Sequence, residues 1–336
     1  MYVAQLVIRR VLLMIPILLG VTLVTFLLTQ VIPSDPAAAI AGDTATDAQV
    51  EAVRQRLGLD QPIWVQYVTY VSRLVSGDLG TSIYTQRPIS SEIGVYLTAT
   101  IELATVGILI AVILGGTLGV LAAVHRGTWV DRFGRLFAIF GASMPVFWLA
   151  LLLVLVFYSL LGWLPGGGRF SMSVAQPAPI TQFLVIDSIA RGNLTALGDA
   201  LWHLALPAVT LGIMGAGSLA RVMRASMLDV LSQEYIRAAR AKGLTRKRVL
   251  YVHGVRNALV PLVTVAGLVY GALLGGAVLT ESVFSWPGLG RYAVSAMFRK
   301  DFPALMAVVI IIAIAYAIVN LVVDVLYVFL NPTIRR

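Results

Sequence analysis

The stretch EYIRAARAKGLTRKRVLYVHGVRNALVP, residues 234–261, is the most highly charged part of the chain and lies between two long apolar runs. Its beginning has the signals of a short helix, because Ser232 can cap the first turn and Glu234 suits the positive end of the helix dipole. Gly243 can end that helix in the left-handed conformation, and Thr245 can start a second one. The stretch therefore predicts a short helix, a glycine turn and a second helix that continues into the next apolar run.

The composition places this stretch in a membrane protein. Of the 336 residues, 59% are hydrophobic and 12% are charged, and the mean hydropathy is +0.89; a soluble domain has roughly 25% charged residues. Six runs free of Asp, Glu, Lys and Arg approach or exceed the ~20 residues that a helix needs to cross a bilayer. These runs are Val11–Ser34, Leu103 up to Arg126, Leu136–Gly168, Leu201–Ala220, Asn257–Thr280 and Phe302–Val323. We predict an all-α integral membrane protein with six transmembrane helices, the first a retained anchor rather than a signal peptide.

The distribution of positive charge predicts the orientation of these helices, because Lys and Arg accumulate on the cytoplasmic side. Residues 221–256 carry nine of them against two acidic residues, and further arginines lie before the first run, after the second and at the C-terminus. Residues 33–98 are acidic, and residues 163–200 are balanced. Both termini and the basic stretch are therefore predicted to be cytoplasmic. The net charge of +9 is then an inside-facing charge and a weak sign of nucleic-acid binding.

Residues 33–95 are long enough to fold as a helical insertion outside the membrane. TDAQVEAVRQRLGL has apolar residues at helical spacing, with Thr46 or Asp47 as N-cap and Gly58 as stop. IWVQYVTYVSRLVSGDLG repeats the pattern and ends at Gly77. The aromatic residues of this insertion are expected to serve packing.

Three interpretations compete for the short basic helix. Met227, Leu231, Tyr235, Ala238 and Lys242 share one helical face, from which Arg237 and Arg240 point away. A solvated loop accounts for the charge but not for the helix signals, and a DNA-binding helix-turn-helix lacks space for its supporting helices. The small alanines favour a third interpretation, a thin helix that enters a groove on a partner protein.

At this point the sequence resembles a known family. EYIRAARAKGL is similar to the cytoplasmic coupling loop of type I ABC importer permeases, in the form found in the dipeptide and oligopeptide branch. Further stretches resemble other segments of that branch and occur in the same order along the chain. They are RRVLLMIPILLGVTLVTFLLTQVIPSDPA, LGLDQPIWVQYVTYVSRLVSGDLGTSI, SMPVFWLALLL with LGWLPGGG, ESVFSWPGLGRYAVSAMFRKDFP and NLVVDVLYVFLNPTIRR.

The resemblance implies one permease subunit of a bacterial inner-membrane importer for peptides or a related solute. It implies a second homologous permease, two ATPase subunits and an extracytoplasmic binding protein as partners, with ATP and magnesium on the ATPases and no cofactor in this chain. The residues implied for coupling to an ATPase are Glu234, Tyr235, Ala238, Ala239 and Gly243. The sequence departs from the pattern at Arg237, where the wider superfamily has Glu, at Val260 and Pro261, and at Asn331 and Thr333.

Motifs for catalysis are missing from the sequence. No stretch has the phosphate-binding form G-x-x-x-x-G-K-[ST], and His125, His203 and His253 are far apart and outside any zinc-protease pattern. We therefore predict a chain that is not an enzyme and receives its energy from another subunit.

Polar residues inside the apolar runs are costly and often functional. Glu102 lies near the outer end of the second predicted helix, and Asn320, Asp324 and Tyr327 share one face of the sixth predicted helix. They are candidates for helix-to-helix ties or for the solute pathway, and no substrate-binding residue or metal site is assigned. Trp286 in SWPGLGR is either a gate element or an aromatic anchor at the membrane interface, and the anchor is favoured.

The predicted organisation is residues 1–32 as N-terminus and first span, 33–95 as insertion, and 96–336 as core permease domain with the coupling helix at about 230–244. An ATP-independent secondary transporter or channel is the alternative, although repeated halves and midplane charges are not evident. A membrane scaffold that docks a cytosolic protein without transport is a third possibility.

Overall fold

The computed structural model describes residues 2–31, 36–41 and 45–330. The end of the first apolar run, Asp35 and Asp43 of the insertion, and Asn331, Thr333 and the C-terminal arginines lie outside these residues. The described residues form helices, turns and loops without a β-strand, which confirms the all-α prediction. The helices are α1 (Tyr2–Val31), α2 (Pro36–Ala41), α3 (Asp47–Leu57), α4 (Ile63–Val75), α5 (Ile89–Val124), α6 (Trp129–Ser143), α7 (Val146–Leu153), α8 (Leu184–Ala190), α9 (Leu194–Ser232), α10 (Glu234–Ala241), α11 (Arg246–Arg248), α12 (Arg256–Gly276), α13 (Val278–Val283), α14 (Leu289–Phe298) and α15 (Phe302–Leu330).

Five helical segments of the described chain are long and apolar enough to cross a membrane. They are α1, α5, α9, α15 and the segment Arg246–Gly275, in which α11 continues through a π-helix (Val249–Val255) into α12. The pair Trp129–Ser143 and Val146–Leu160 passes the same criteria together, so the number reaches the predicted six if this pair forms one span.

The third apolar run is not the single helix that its length predicts. The two halves of this pair meet at an angle of 106°. Met144 is extended, with φ −80° and ψ 132°, and Pro145 starts the next helix. Proline lacks the N–H that a continuous helix needs and pushes the residue before it out of the helical region, so the helix ends here.

The chain forms two compact units, and the first comprises Met1–Ile8, Leu97–Arg291 and Ala315–Arg336. Within it α9 is the most buried of the candidate spans, and glycines of α5 let the two backbones approach closely. A Cβ added at Gly115 would lie 2.7 Å from the Ala216 carbonyl oxygen, and one at Gly119 would lie 2.6 Å from the Met223 Cβ. On α12 a Cβ at Gly271 would lie 2.7 Å from the Tyr316 ring.

The second unit comprises Arg9–Tyr96 and Tyr292–Ile314. It contains α1 from Arg9 onward and the helical insertion, whose predicted helix signals are confirmed: Thr46 is the N-cap of α3 and Gly58 ends it with φ +68°. The Phe26 ring of α1 lies 5.5 Å from the Tyr67 ring and 6.0 Å from the Tyr70 ring of α4. These aromatic residues therefore serve packing, as predicted.

Two long-range contacts close this second unit. Asp301, which is 3% exposed, accepts hydrogen bonds from the Ser82 hydroxyl at 2.5 Å and from the Ile83 N–H at 3.2 Å. The Tyr292 hydroxyl donates to Glu92 at 2.7 Å. Residues 82–92 are thereby fixed to residues that follow them by about two hundred positions.

Candidate coupling helix and buried polar sites

The predicted coupling helix is present as α10, but its start differs from the prediction. Gln233 occupies the N-cap in an extended conformation, with φ −69° and ψ 150°, and no side chain caps the helix. Ser232 ends α9 instead, where its hydroxyl donates to the Asp229 carbonyl at 2.7 Å. The prediction that Ser232 caps the helix is therefore wrong, because α9 continues to Ser232 before the chain turns.

The predicted end of the helix is confirmed. Gly243 adopts φ +74°, and its N–H donates to the Arg240 carbonyl at 3.0 Å. Thr245 then caps the next turn by accepting a hydrogen bond from the Arg248 N–H at 3.4 Å. A residue with a Cβ is strained at this φ, so glycine is what lets the chain reverse here.

The single apolar face predicted from Met227 to Lys242 is interrupted. Met227 and Leu231 belong to α9, and the extended Gln233 separates them from α10, where Tyr235 is exposed. The 3.6-residue period does not continue through an extended residue. The predicted face therefore divides into a part on α9 and a part on α10.

The inner face of α10 anchors it to the same unit. Ile236 is fully buried and Ala239 is 8% exposed, and both pack against Val249 at the start of the π-helix. Among the five residues predicted for coupling, Ala239 therefore supports the helix from below. Glu234, Tyr235 and Ala238 lie on the exposed side, and Gly243 forms the turn.

Two polar contacts hold the exposed side in place. The Asn257 side-chain N–H donates to the Tyr235 hydroxyl at 3.0 Å, which connects α10 to the first turn of α12. Glu234 forms an ion pair with Arg237 at 2.9 Å, but the side chains are 85% and 69% exposed. Such an exposed pair contributes about 0–1 kcal/mol. The orientation of α10 therefore depends on Ile236 and Tyr235 more than on this pair.

A buried ion pair joins α9 to α6 before α9 reaches α10. Asp131 is 1% exposed and accepts two hydrogen bonds from Arg224, at 2.7 Å from Nε and 3.1 Å from Nη2. Its second oxygen also accepts the Gly127 N–H at 3.0 Å. Arg135 lies further away, at 3.8 Å, and is half exposed. A bidentate contact of this kind fixes both side chains geometrically.

Glu102 orders the loop between the bent pair and α9. It is 7% exposed and accepts hydrogen bonds from Arg169 Nη2 at 2.6 Å and from the Val185 N–H at 2.8 Å.

Asp187, in the same loop region, accepts hydrogen bonds from the Thr181 hydroxyl and from three successive N–H groups of residues 180–182. Burial works to raise the pKa of Asp187, but these hydrogen bonds outweigh it and lower the pKa below its usual value. Both carboxylates have structural partners.

The other predicted polar residues lie on α15. Asn320, Asp324 and Tyr327 are all half-buried, so this face is neither fully enclosed nor fully exposed. Whether it contacts a neighbouring helix or the solute stays a prediction.

Sequence reasoning missed the buried site around Glu281, which follows the fifth apolar run. Glu281 has no exposed surface and accepts hydrogen bonds from the Thr100 hydroxyl at 2.7 Å and the Arg291 N–H at 2.9 Å. Trp286 is 1% exposed, and its indole N–H donates to the Ala99 carbonyl at 2.9 Å. The favoured interpretation of Trp286 as an interfacial anchor is therefore wrong, since its ring is enclosed by protein. A charged residue directly after an apolar run was the available signal.

Two of the histidines contact a backbone carbonyl one helical turn before them. Nδ1 of His203 lies 3.0 Å from the Asp199 carbonyl and Nδ1 of His125 lies 3.0 Å from the Leu121 carbonyl. In the part of the chain that the structure describes, no three His, Asp or Glu side chains are arranged to hold a metal ion.

Several apolar spans joined by loops with buried structural carboxylates, and a short basic helix held at the surface, define a helical membrane protein. The chain belongs to the family described as "Binding-protein-dependent transport system inner membrane component", whose model matches residues 115–336. The model of the N-terminal part of such membrane components matches residues 3–98. The chain is thus an inner-membrane permease component, and the resemblance noted in the sequence is confirmed.

Similar proteins cover nearly the whole chain. The Probable D,D-dipeptide transport system permease protein DdpB of Escherichia coli K12 is 47% identical over 94% of this chain and 93% of its own length. The Dipeptide transport system permease protein DppB of Alkalihalophilus pseudofirmus is 42% identical over 97% of this chain and 98% of its own length. The Glutathione transport system permease protein GsiC of Salmonella paratyphi A is 42% identical over 98% of both.

Proposed function

We propose that this permease imports dipeptides or another short peptide in an ATP-driven complex. The named solutes of its relatives, D,D-dipeptides, dipeptides and glutathione, support a small peptide as the solute class. A soluble binding protein selects the peptide, and this chain forms half of the pathway through the membrane beside a second, homologous permease.

Energy enters through two ATPase subunits, so that this chain itself hydrolyses nothing. α10 docks in a groove of one ATPase with its exposed side, formed by Glu234, Tyr235 and Ala238. The observation that carries this proposal is the contrast between that exposed surface and the anchored inner face of Ile236 and Ala239. A helix held rigidly from one side transmits a displacement of its other side to the spans that it joins. ATP-driven closure then turns the pathway alternately outward and inward.

The orientation follows from the same assignment. α10, both termini and the basic residues around it face the cytoplasm, where ATP is available, in agreement with the positive-inside rule. Residues 33–95 face the opposite side, where a binding protein delivers solute.

Site-specific cross-linking tests the docking surface, since the chain has no cysteine of its own. Ala238→Cys places a thiol on the exposed side of α10, and Ala239→Cys places the same thiol on the buried side one residue further. A short thiol cross-linker is expected to join Ala238→Cys to the co-purified ATPase and to leave Ala239→Cys unlinked. Equal cross-linking of both, or of neither while the intact complex is recovered, would show that α10 docks differently.

Transport itself is tested with the complex purified in mild detergent and placed in vesicles with its binding protein. Labelled dipeptide is expected to accumulate only when ATP is supplied on the side of the ATPases. Accumulation driven by a proton gradient without ATPase subunits would instead establish the secondary transporter. Docking without accumulation of any solute would establish the scaffold.

A further inference from the structure

A cavity of about 780 Å³ lies within the unit that contains the helical insertion. Its walls come from α1, α3, α4, the turn between α4 and α5, and the first turns of α15. The volume falls within the ~300–1,000 Å³ of small-molecule sites.

The floor of this cavity is apolar. Phe26 is 6% exposed, and Ala307 and Ile310 are 3% exposed. All three belong to stretches of α1 and α15 that qualify as membrane spans. The floor is therefore formed by side chains of two helices that are apolar enough to enter the bilayer.

The rim is positively charged. Arg54, Arg56 and Arg73 line the cavity together with a single carboxylate, Asp78. Arg54 is paired with Glu51 at 3.3 Å, and Asp78 accepts the Gly80 N–H at 2.9 Å. The rim thus has an excess of positive charge, which favours an anionic group.

Tyr70 adds a polar atom between the rim and the floor. It lines the cavity, and its hydroxyl is buried with no hydrogen bond of normal geometry among the described residues, although the Thr25 hydroxyl lies near enough to interact with it. A buried hydroxyl without a partner costs about 1–3 kcal/mol. A ligand atom that accepts its hydrogen bond would remove that cost.

The two faces of α4 differ in character. Trp64, Val68 and Val75 form one face and are 70%, 61% and 84% exposed. Thr69 and Arg73 lie on the opposite face, which lines the cavity. A helix with an exposed apolar face that includes Trp is suited to lie in the membrane interface, which would place α4, as one wall of the cavity, at the depth of the headgroups.

We propose that this cavity is a binding site for an anionic phospholipid. The phosphate interacts with Arg56 and Arg73 and accepts a hydrogen bond from Tyr70, while the upper part of an acyl chain contacts Phe26 and Ile310. A free peptide fits this distribution less well, because its ammonium group would have to lie among the arginines.

Native mass spectrometry of the full chain with its associated subunits, washed free of lipid in detergent, tests the site. Phosphatidylglycerol, phosphatidylcholine and glycerol 1-phosphate are titrated separately. Phosphatidylglycerol is expected to bind at least tenfold more tightly than either of the others. Arg56→Gln with Arg73→Gln is expected to raise its Kd about tenfold to thirtyfold, from the contribution of each cation near an anionic headgroup. Arg87→Gln, an exposed arginine of the same segment outside the cavity, is expected to leave the Kd unchanged.

Thr69→Trp provides a second variant that alters no charge. Thr69 is exposed at the cavity wall, so an indole there fills the entrance without disturbing the buried floor, and it is expected to reduce phosphatidylglycerol binding at least tenfold. The proposal is overturned by equal binding of phosphatidylcholine, by glycerol 1-phosphate binding as tightly as the lipid, or by displacement of the lipid by a dipeptide. It is equally overturned if Arg56→Gln with Arg73→Gln behaves like Arg87→Gln and Thr69→Trp has no effect.

Discussion

Removal of the charge on Asp131 is expected to destabilise the protein strongly, because it leaves Arg224 partly buried without its partner. The carboxylate is 1% exposed and accepts both Arg224 hydrogen bonds, at 2.7 Å and 3.1 Å. Breaking a buried pair from one side costs about 3–5 kcal/mol. Asn keeps one acceptor oxygen, so Asp131→Asn should lower the free energy of unfolding by about 3 kcal/mol, the lower end of that range.

The assay is an unfolding titration in mixed SDS and detergent micelles, monitored by circular dichroism, on the full chain. Arg224→Met in the Asp131→Asn background removes the charge that is left behind. The double variant should therefore lose about 2 kcal/mol less free energy of unfolding than the losses of the two single variants added together. Arg135→Gln is the matched control, since this half-exposed arginine lies 3.8 Å from the same carboxylate. It should change stability by less than about 1 kcal/mol.

Two results would refute this reasoning. A loss below about 1 kcal/mol for Asp131→Asn would place the pair in the range of exposed ion pairs. Additive single variants would mean that each side chain acts through other contacts.

Three further predictions concern local features. Gly119→Ala should reduce the yield of folded protein in a fluorescence size-exclusion assay, because its new methyl group would meet the neighbouring helix at 2.6 Å. Gly116→Ala, whose methyl group would lie 3.7 Å from its nearest neighbour, should be tolerated in the same assay. Gly243→Val should weaken ATPase co-purification through strain of about 1–2 kcal/mol at φ +74°, while Gly243→Asn should retain most of the co-purified ATPase. Equal amounts of ATPase with both variants would contradict a role for the left-handed turn. The pKa of Asp187 is lowered in the folded chain, so its stabilising contribution is complete above the unfolded pKa of 3.8 and is lost as pH falls through the lower folded value. Between pH 5 and pH 2, about the window in which such carboxylates protonate, the thermal stability of Asp187→Asn should therefore fall less than that of the parent chain. Parallel curves of melting temperature against pH would count against a stabilising role of the Asp187 carboxylate.

Local signals predicted local structure well. The absence of charge marked the spans, and Thr46, Gly58 and Gly243 marked helix ends, because each acts on the backbone within a few residues of itself. The extended Gln233 between α9 and α10 had no such signal, and the predicted face of the coupling helix was divided as a result.

Contacts between distant residues were not predictable from one sequence. Glu281 looked like the end of an apolar run, but its partners are Thr100 and Arg291, and only the folded chain brings them together. Trp286 was misinterpreted for the same reason, since an aromatic residue near a span end suits the lipid interface or a buried pocket equally well. Pro145 accounts for the end of α6, but the angle of 106° between the two halves depends on how the following helix packs.

The contact between Ser82 and Asp301 has a consequence for biosynthesis. The two residues are separated by 219 positions, so at ~5–20 residues per second a ribosome needs roughly 10–45 s to supply the second after the first. During that interval the Ser82 hydroxyl and the neighbouring N–H groups lack the carboxylate that satisfies them. The insertion is thus completed only when almost the entire protein has been translated, and a chain truncated before Asp301 would present it unfinished to proteases and chaperones.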